Sequence, residues 1–196
     1  VSAALILSGG QSARFGSDKS LAKFGPATLL ERSVSVAVEV AQEVVVVGPW
    51  APSRTTRVIE PERYLGPLSA VVCGLTKVTA EYVLVLAGDH PLLQPALLLE
   101  LLRQCGSGEY SAVVPVTEHG PQPLVACYSR TALAHAQRLV QQGERSMQAL
   151  LRQVDTKYLP SEQWQEFDEG GWSFMDVDTT DDLRELMNLT PRSLGT

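Results

Sequence analysis

The sequence is poor in the residues that build soft metal sites. It holds three cysteines and three histidines in 196 residues. Cys73, Cys105 and Cys127, like His90, His119 and His135, are scattered, with no CxxC, HxH or HExxH pattern among them. That spacing excludes a zinc ribbon, a redox dithiol and a metalloprotease helix. Isolated thiols of this kind suit small buried apolar positions in a reducing compartment, so a cytoplasmic location is expected. Long apolar runs are also missing. None approaches the roughly 20 residues of a membrane helix, so no membrane association is expected. The first run, 3–7, is too short for the core of a signal peptide and breaks at Gly9-Gly10. Basic charge is in deficit too, with 16 Lys and Arg against 22 Asp and Glu, a net charge of -6. A general nucleic-acid binder needs a basic face, and nucleic acid is therefore not an expected partner.

What is present is ordinary globular composition, with 44% hydrophobic and 19% charged residues. Disorder and low complexity are excluded. At about 150 residues per domain, residues 1–196 read as a single domain with a frayed tail from about residue 190. A monomer or weak oligomer is expected. The charge is unevenly placed. Residues 160–185 hold nine carboxylates against Arg184 alone, a local charge of -8, which leaves +2 for the rest of the chain. Glu162, Glu166, Asp168 and Glu169 within that block read as solvated surface.

Short apolar runs recur at 3–7, 44–47, 82–86, 112–116 and 124–128. They are continuous rather than alternating, as in strands buried on both faces. Helical stretches lie between them. Thr28 and Glu31 stand in capping-box spacing, and Leu30, Val34, Ala37, Val38 and Ala41 follow at helical intervals. Further helices are expected over 68–79, 95–104, 131–142 and 144–153. A last one opens at Thr179, with Asp181 and Asp182 at its positive end and Leu183, Leu186 and Met187 as its apolar edge. The alternation predicts a three-layer α/β fold, Rossmann-like, with a mostly parallel mixed sheet. Ligands in such sheets bind beyond the carboxyl ends of the strands.

The first run opens into Ser8-Gly9-Gly10, then Arg14, Gly16, Asp18, Lys19 and Lys23. Glycines let backbone N–H groups approach phosphate oxygens, and the cations suit a polyanion. The competing reading is a tight turn with solvated cations. Two familiar phosphate loops do not fit. Walker A needs four residues between its glycines, and five separate Gly10 from Gly16; GxGxxG fails at Gln11. Asp89 follows the run at 82–86 and stands where a carboxylate can hold Mg²⁺, or where it merely opens a turn into Pro91. His90 reads as a turn residue, with substrate contact as the alternative. Asp176 and Asp178 alternate, so in an extended segment they share one face. Asp178 then reads either as a helix cap or as a second metal ligand.

The run LSGGQSARFGSDKSLAKFG resembles the signature of the molybdenum cofactor guanylyltransferases, of the type of molybdopterin-guanine dinucleotide biosynthesis protein A, within the nucleotidyltransferase superfamily. Gly66-Pro67-Leu68-Ser69-Ala70 is similar to the family's GPLAG piece, and Gly88-Asp89-His90-Pro91 to its GDMP piece. Residues 123–126, 143–146 and 174–183 resemble later pieces, so the likeness spans 3–187. It implies a nucleotidyltransferase fold and transfer of GMP from GTP to molybdopterin cofactor with Mg²⁺. Carried over by position, Arg14, Lys19 and Asp89 are implied to be catalytic. Leu7, Ser8, Gly9, Gly10, Arg14, Lys19, Gly66, Pro67, Asp89, Asp176 and Asp178 are implied to contact substrate. Asp89, and secondarily Asp178, is implied to bind the metal. Proteins of molybdenum-cofactor synthesis or insertion are possible partners.

The sequence departs from the family at two base-reading positions. Gly48-Pro49-Trp50 stands where an Asn is usual, and Pro61 where an Asp is usual, leaving Glu60 or Glu62 as substitutes. Trp50 either stacks on a ring or covers an edge. Paired Asp at 176 and 178 is common in the cytidylyl branch, whereas Gly9-Gly10 favours the guanylyl one. The alternatives are a cytidylyltransferase using CTP and a non-catalytic nucleotide-binding protein. A sugar-phosphate nucleotidyltransferase fits poorly, because 196 residues leave little room for a sugar-binding region.

Overall fold

β1 (Ser2–Leu7) starts the chain. A 3-10 turn (Lys19–Leu21) and a small hairpin, β2 (Lys23–Phe24) with β3 (Ala27–Thr28), lead into α1 (Leu29–Val40). Then follow β4 (Glu43–Val47), β5 (Thr56–Val58), α2 (Pro67–Leu75), β6 (Tyr82–Ala87) and α3 (Pro95–Cys105). β7 (Ala112–Thr117), β8 (Gly120–Pro121), β9 (Val125–Ser129), α4 (Arg130–Gln141) and α5 (Met147–Leu151) come next. β10 (Thr156–Leu159), α6 (Ser161–Trp164), a 3-10 turn (Trp172–Phe174) and α7 (Thr180–Leu189) complete it. The computed structural model describes residues 1–9, 19–60 and 65–189, the side chain of Leu189 excepted. The expected frayed tail lies outside those residues.

The main sheet has the order β10-β7-β9-β6-β1-β4-β5, with β8 added on β7. β9 runs antiparallel to both β6 and β7, and the other neighbours in that order are parallel. The expected mostly parallel mixed sheet is thus what forms, and its five apolar runs become β1, β4, β6, β7 and β9.

Period-two alternation divides each central strand between two cores. Ala3, Leu5, Leu7, Val45, Val47, Val83 and Val85 pack with Leu68, Val71, Leu133 and Leu150 of α2, α4 and α5. Ala4, Ile6, Val44, Val46, Leu84 and Leu86 pack on the other face with Leu30, Val34, Leu97 and Leu101 of α1 and α3. Each fully buried aliphatic side chain contributes about 1.5–3 kcal/mol, which is why the runs are unbroken. α2 lies so close to the sheet that a Cβ on Gly74 would stand 2.7 Å from Val47 Cγ2 and press on Leu5 as well. The capping box of α1 is complete: Thr28 N donates to Glu31 Oε2 (2.6 Å), and Glu31 N donates to Thr28 Oγ1 (3.1 Å). A third cluster, Phe24, Leu29, Leu92, Val177 and Leu186, ties the hairpin and α7 to the end of the sheet. Leu183 packs against it, whereas Met187 of the expected apolar edge is 45% exposed. Among the described residues no helix is long and apolar enough to cross a membrane.

Candidate active site

The parallel order places the carboxyl ends of β5, β4, β1 and β6 along one rim, and the backbone stitches them together. Gly48 N donates to Val58 O (2.9 Å), Ser8 N to Val47 O (2.8 Å) and Gly88 N to Leu7 O (2.9 Å). Gly48 approaches so closely that a Cβ there would lie 2.5 Å from the Ser8 carbonyl oxygen. Glycine at 48 is therefore demanded by packing, whatever else an Asn would supply. Leu7 and Ser8 are buried at this rim, and among the described residues Ser8 Oγ has no hydrogen-bond partner. Gly9 is exposed beside Glu60: a Cβ on it would sit 3.6 Å from Glu60 Oε2. Burial pushes the Glu60 carboxyl above its ordinary pKa.

Asp89, just past the end of β6, faces Lys19. Lys19 Nζ lies 2.6 Å from Asp89 Oδ2 and 2.7 Å from Asp178 Oδ1. Three residues far apart in sequence thus meet in one charged cluster. Burial alone would lower the Lys19 pKa; the charge of Asp89, with hydrogen bonds to both carboxylates, outweighs it and the pKa is raised. Lys19 starts a 3-10 turn closed by Ala22 N donating to Lys19 O (3.0 Å). Asp178 arrives because Val177 is fully buried and its N–H donates to Asp89 O (3.2 Å).

The helix-cap reading of Asp178 is replaced by this contact. Thr179 Oγ1 accepts from Asp182 N (3.1 Å), and Asp182 Oδ2 accepts from the N–H groups of Thr179 (2.7 Å) and Asp178 (3.0 Å). These bonds hold the Asp182 carboxyl below its usual pKa, although burial acts the other way. Asp176 is exposed and makes no hydrogen bond or ion pair among the described residues. Gly66, with φ +101°, precedes Pro67 at the start of α2. Leu68 N donates to Arg145 O (3.1 Å), which brings the segments around 66 and 145 together. Gly10, Arg14 and Glu62 lie outside the described residues, so their places remain expectations.

One group in the acidic block is not solvated surface. Asp168 is buried, at 3% exposure, because its carboxylate accepts from Trp172 N (2.9 Å) and Ser173 N (2.8 Å). Ser173 Oγ in turn accepts from Gln94 N (2.8 Å), and Ser173 O faces His90 Nδ1 (2.9 Å). Ser33 Oγ donates to the His90 carbonyl (3.1 Å). His90 Nε2 lies 3.7 Å from Asp89 Oδ1, which is buried and among the described residues has no hydrogen-bond partner. Sequence reasoning missed Asp168, Ser173 and Ser33, because nothing in their spacing relates them to residue 90. Among the described residues no cluster of three or more His, Cys, Asp or Glu is assembled for a metal.

An open, mostly parallel sheet with a lysine and two carboxylates gathered at its carboxyl rim defines an α/β protein of the kind that binds ligands at its strand ends. Comparison with known proteins narrows the class. The family model described as MobA-like NTP transferase domain matches residues 4–158. A protein of Chloroflexus aggregans named probable molybdenum cofactor guanylyltransferase is 33% identical, over 92% of this chain and 90% of its own length. A protein of the same name from Bacillus cytotoxicus is 29% identical, over 94% and 96%. The crystal structure of molybdopterin-guanine dinucleotide biosynthesis protein A from Archaeoglobus fulgidus superposes with a TM-score of 0.82 at 22% identity, covering 95% of this chain and 97% of that one. The chain belongs to the MobA-like NTP transferase family and has its Rossmann-like nucleotidyltransferase fold.

Proposed function

We propose that this protein transfers GMP from GTP to molybdopterin cofactor and releases pyrophosphate. The observation that carries the reading is Lys19 held between Asp89 and Asp178 at the carboxyl rim of the sheet, in a chain of this family. The terminal phosphate oxygen of molybdopterin attacks the α-phosphorus of GTP in line. A new O–P bond forms as the bond from the α-phosphorus to the bridging oxygen breaks, and that electron pair leaves with pyrophosphate. A phosphate monoester is already anionic near neutral pH, so no strong base is required. Catalysis rests on positioning and charge neutralisation.

Lys19 and Arg14 hold the triphosphate, with backbone N–H groups of Gly9 and Gly10 cradling its oxygens. Leu7 and Ser8 lie against the base. Glu60, beside Gly9, has the acceptor pair that guanine's N1–H and N2–H donors require and that cytosine's ring nitrogen does not match. This favours GTP over CTP. The segments around Gly66-Pro67 and Asp176 face the molybdopterin acceptor.

The donor set fits Mg²⁺. Asp89 and Asp178 are hard oxygen donors that already share one cation, and among the described residues the buried Asp89 Oδ1 accepts no hydrogen bond. Asp89 would hold the ion, with Asp178 as a second donor once Lys19 has moved onto phosphate. Bound Mg²⁺ supplies charge neutralisation on the phosphates. The test is pyrophosphate release across the four nucleoside triphosphates with molybdopterin as acceptor. GTP is expected to give the highest rate. CTP preference would assign the cytidylyl reaction instead, and GTP binding without pyrophosphate release would make the protein a non-catalytic binder.

A further inference from the structure

We infer that His90 is a nitrogen ligand of the divalent cation, paired with Oδ1 of Asp89, and that it turns the site's preference from Mg²⁺ toward Mn²⁺. The inference rests on the proposed role of Asp89 as the metal carboxylate. It begins with a hydrogen bond. His90 Nδ1 is 2.9 Å from the Ser173 carbonyl oxygen. A carbonyl only accepts, so Nδ1 is the donor to it, which leaves Nε2 as the ring nitrogen open to an ion. Nε2 lies 3.7 Å from Asp89 Oδ1. The carboxylate oxygen is itself buried and among the described residues has no hydrogen-bond partner.

An unprotonated Nε2 and a carboxylate oxygen repel unless a cation joins them. Their separation exceeds a hydrogen bond. It suits two donors on one ion, since ligands about 2.1 Å from a metal stand about 3.0–4.2 Å apart, depending on the angle between them. The other oxygen, Oδ2, is taken by Lys19 at 2.6 Å. The two edges of one carboxylate are thereby divided between a lysine and a histidine.

The surroundings hold the ring as a metal-bound histidine is usually held, by a backbone carbonyl on the nitrogen away from the ion. Asp168 fixes that carbonyl's residue through the N–H of Ser173, and the Ser173 hydroxyl is anchored by Gln94 N. Ser33 fixes the backbone of His90 itself. The imidazole is 10% exposed, so little reorientation is open to it. A nitrogen donor favours first-row transition metals over Mg²⁺, which prefers oxygen throughout. Substrate phosphate oxygens complete the shell.

The experiment uses the full chain carrying ¹⁵N-labelled histidine, with Mn²⁺ added alone and with GTP, read by pulsed electron paramagnetic resonance. The label separates protein nitrogen from the ¹⁴N of guanine. A ¹⁵N coupling to bound Mn²⁺ is expected in both samples and absent in His90→Ala. That variant is expected to bind Mn²⁺ at least about tenfold more weakly, with Mg²⁺ affinity changed less than about threefold. If His90→Ala fails to fold, the wild-type spectrum alone decides. Bound Mn²⁺ without ¹⁵N coupling, no bound Mn²⁺ in either sample, or equal losses for Mg²⁺ and Mn²⁺ would overturn the inference and leave His90 as a ring packed beside Asp89. The spectrum needs no turnover. A protein that makes the dinucleotide but shows no coupling loses this inference alone; one that shows coupling but makes none loses only the proposed reaction.

Discussion

Lys19→Ala removes the one ammonium that touches both Asp89 and Asp178, at 2.6 and 2.7 Å. Two consequences separate by size. For folding, the Lys19 and Asp89 side chains are 19% and 18% exposed, and Asp178 is 56% exposed. The loss therefore falls between that of an exposed pair and the 3–5 kcal/mol of a fully buried one, at about 1–2 kcal/mol. For a chain of this size that lowers Tm by about 2–8 °C, so the variant stays folded at assay temperature. For turnover, the lost contact acts where negative charge gathers on the leaving pyrophosphate. Such a contact contributes about 3 kcal/mol, or roughly a hundredfold in rate. The assay is pyrophosphate release at saturating GTP and molybdopterin, with circular dichroism confirming the fold. Turnover within about threefold of the parent in a folded Lys19→Ala protein would refute the assignment. Asp178→Asn, on a more exposed group, is expected to lose less, and its loss should not add to that of Lys19→Ala, because the two share one contact.

Asp89→Asn should lower turnover at least roughly a hundredfold and weaken Mg²⁺ binding by calorimetry; unchanged Mg²⁺ affinity would move the metal elsewhere. Asp168→Ala strips the acceptor from the buried Ser173 N–H and the half-buried Trp172 N–H and should cost about 3 kcal/mol of stability in urea unfolding; a loss under about 0.5 kcal/mol would show that Asp168 holds little. Gly74→Ala drives a methyl toward Leu5 and Val47 and should cost about 1–3 kcal/mol, with a neutral or stabilising result arguing against the close approach of α2 to the sheet. The Thr28 N–H holds the Glu31 carboxyl below its usual pKa. Its stabilisation is complete above the unfolded value of about 4.3 and fades as pH falls through the lower folded value. Glu31→Gln, which keeps a hydrogen-bonding oxygen, should flatten the fall in urea midpoint below about pH 4.3; an unchanged slope would mean Glu31 is not the titrating group.

The sequence made the sheet's interior plain because strands covered on both faces must be continuously apolar: 3–7, 44–47 and 82–86 leave few other readings. The two ends of the sheet carry no such mark. β5 buries only Val58 and β10 only Leu159, since an edge strand has a neighbour on one side alone, and neither announces itself. The site divides in a similar way. Lys19, Asp89 and Asp178 were each legible from local context, a glycine turn, a strand end and an alternating acidic pair. That one ammonium joins them depends on how the end of the chain folds back onto β6, which local pattern does not encode. Asp168 was misjudged for the same reason. A carboxylate in an acidic stretch reads as solvated until its two N–H donors are seen, and a histidine in a turn gains meaning only from the carbonyl and carboxylate on either side. The departure at Gly48 has a backbone cause, its contact with Ser8, that no family comparison of side chains would supply.

The central claim is the identity of the dinucleotide made. An equimolar mixture of GTP and CTP, offered to the protein with molybdopterin and Mg²⁺ and analysed by mass spectrometry, tests it directly. The account predicts molybdopterin guanine dinucleotide as the dominant product, with pyrophosphate in equal amount. A predominance of the cytosine dinucleotide, or no dinucleotide from folded protein, would contradict it.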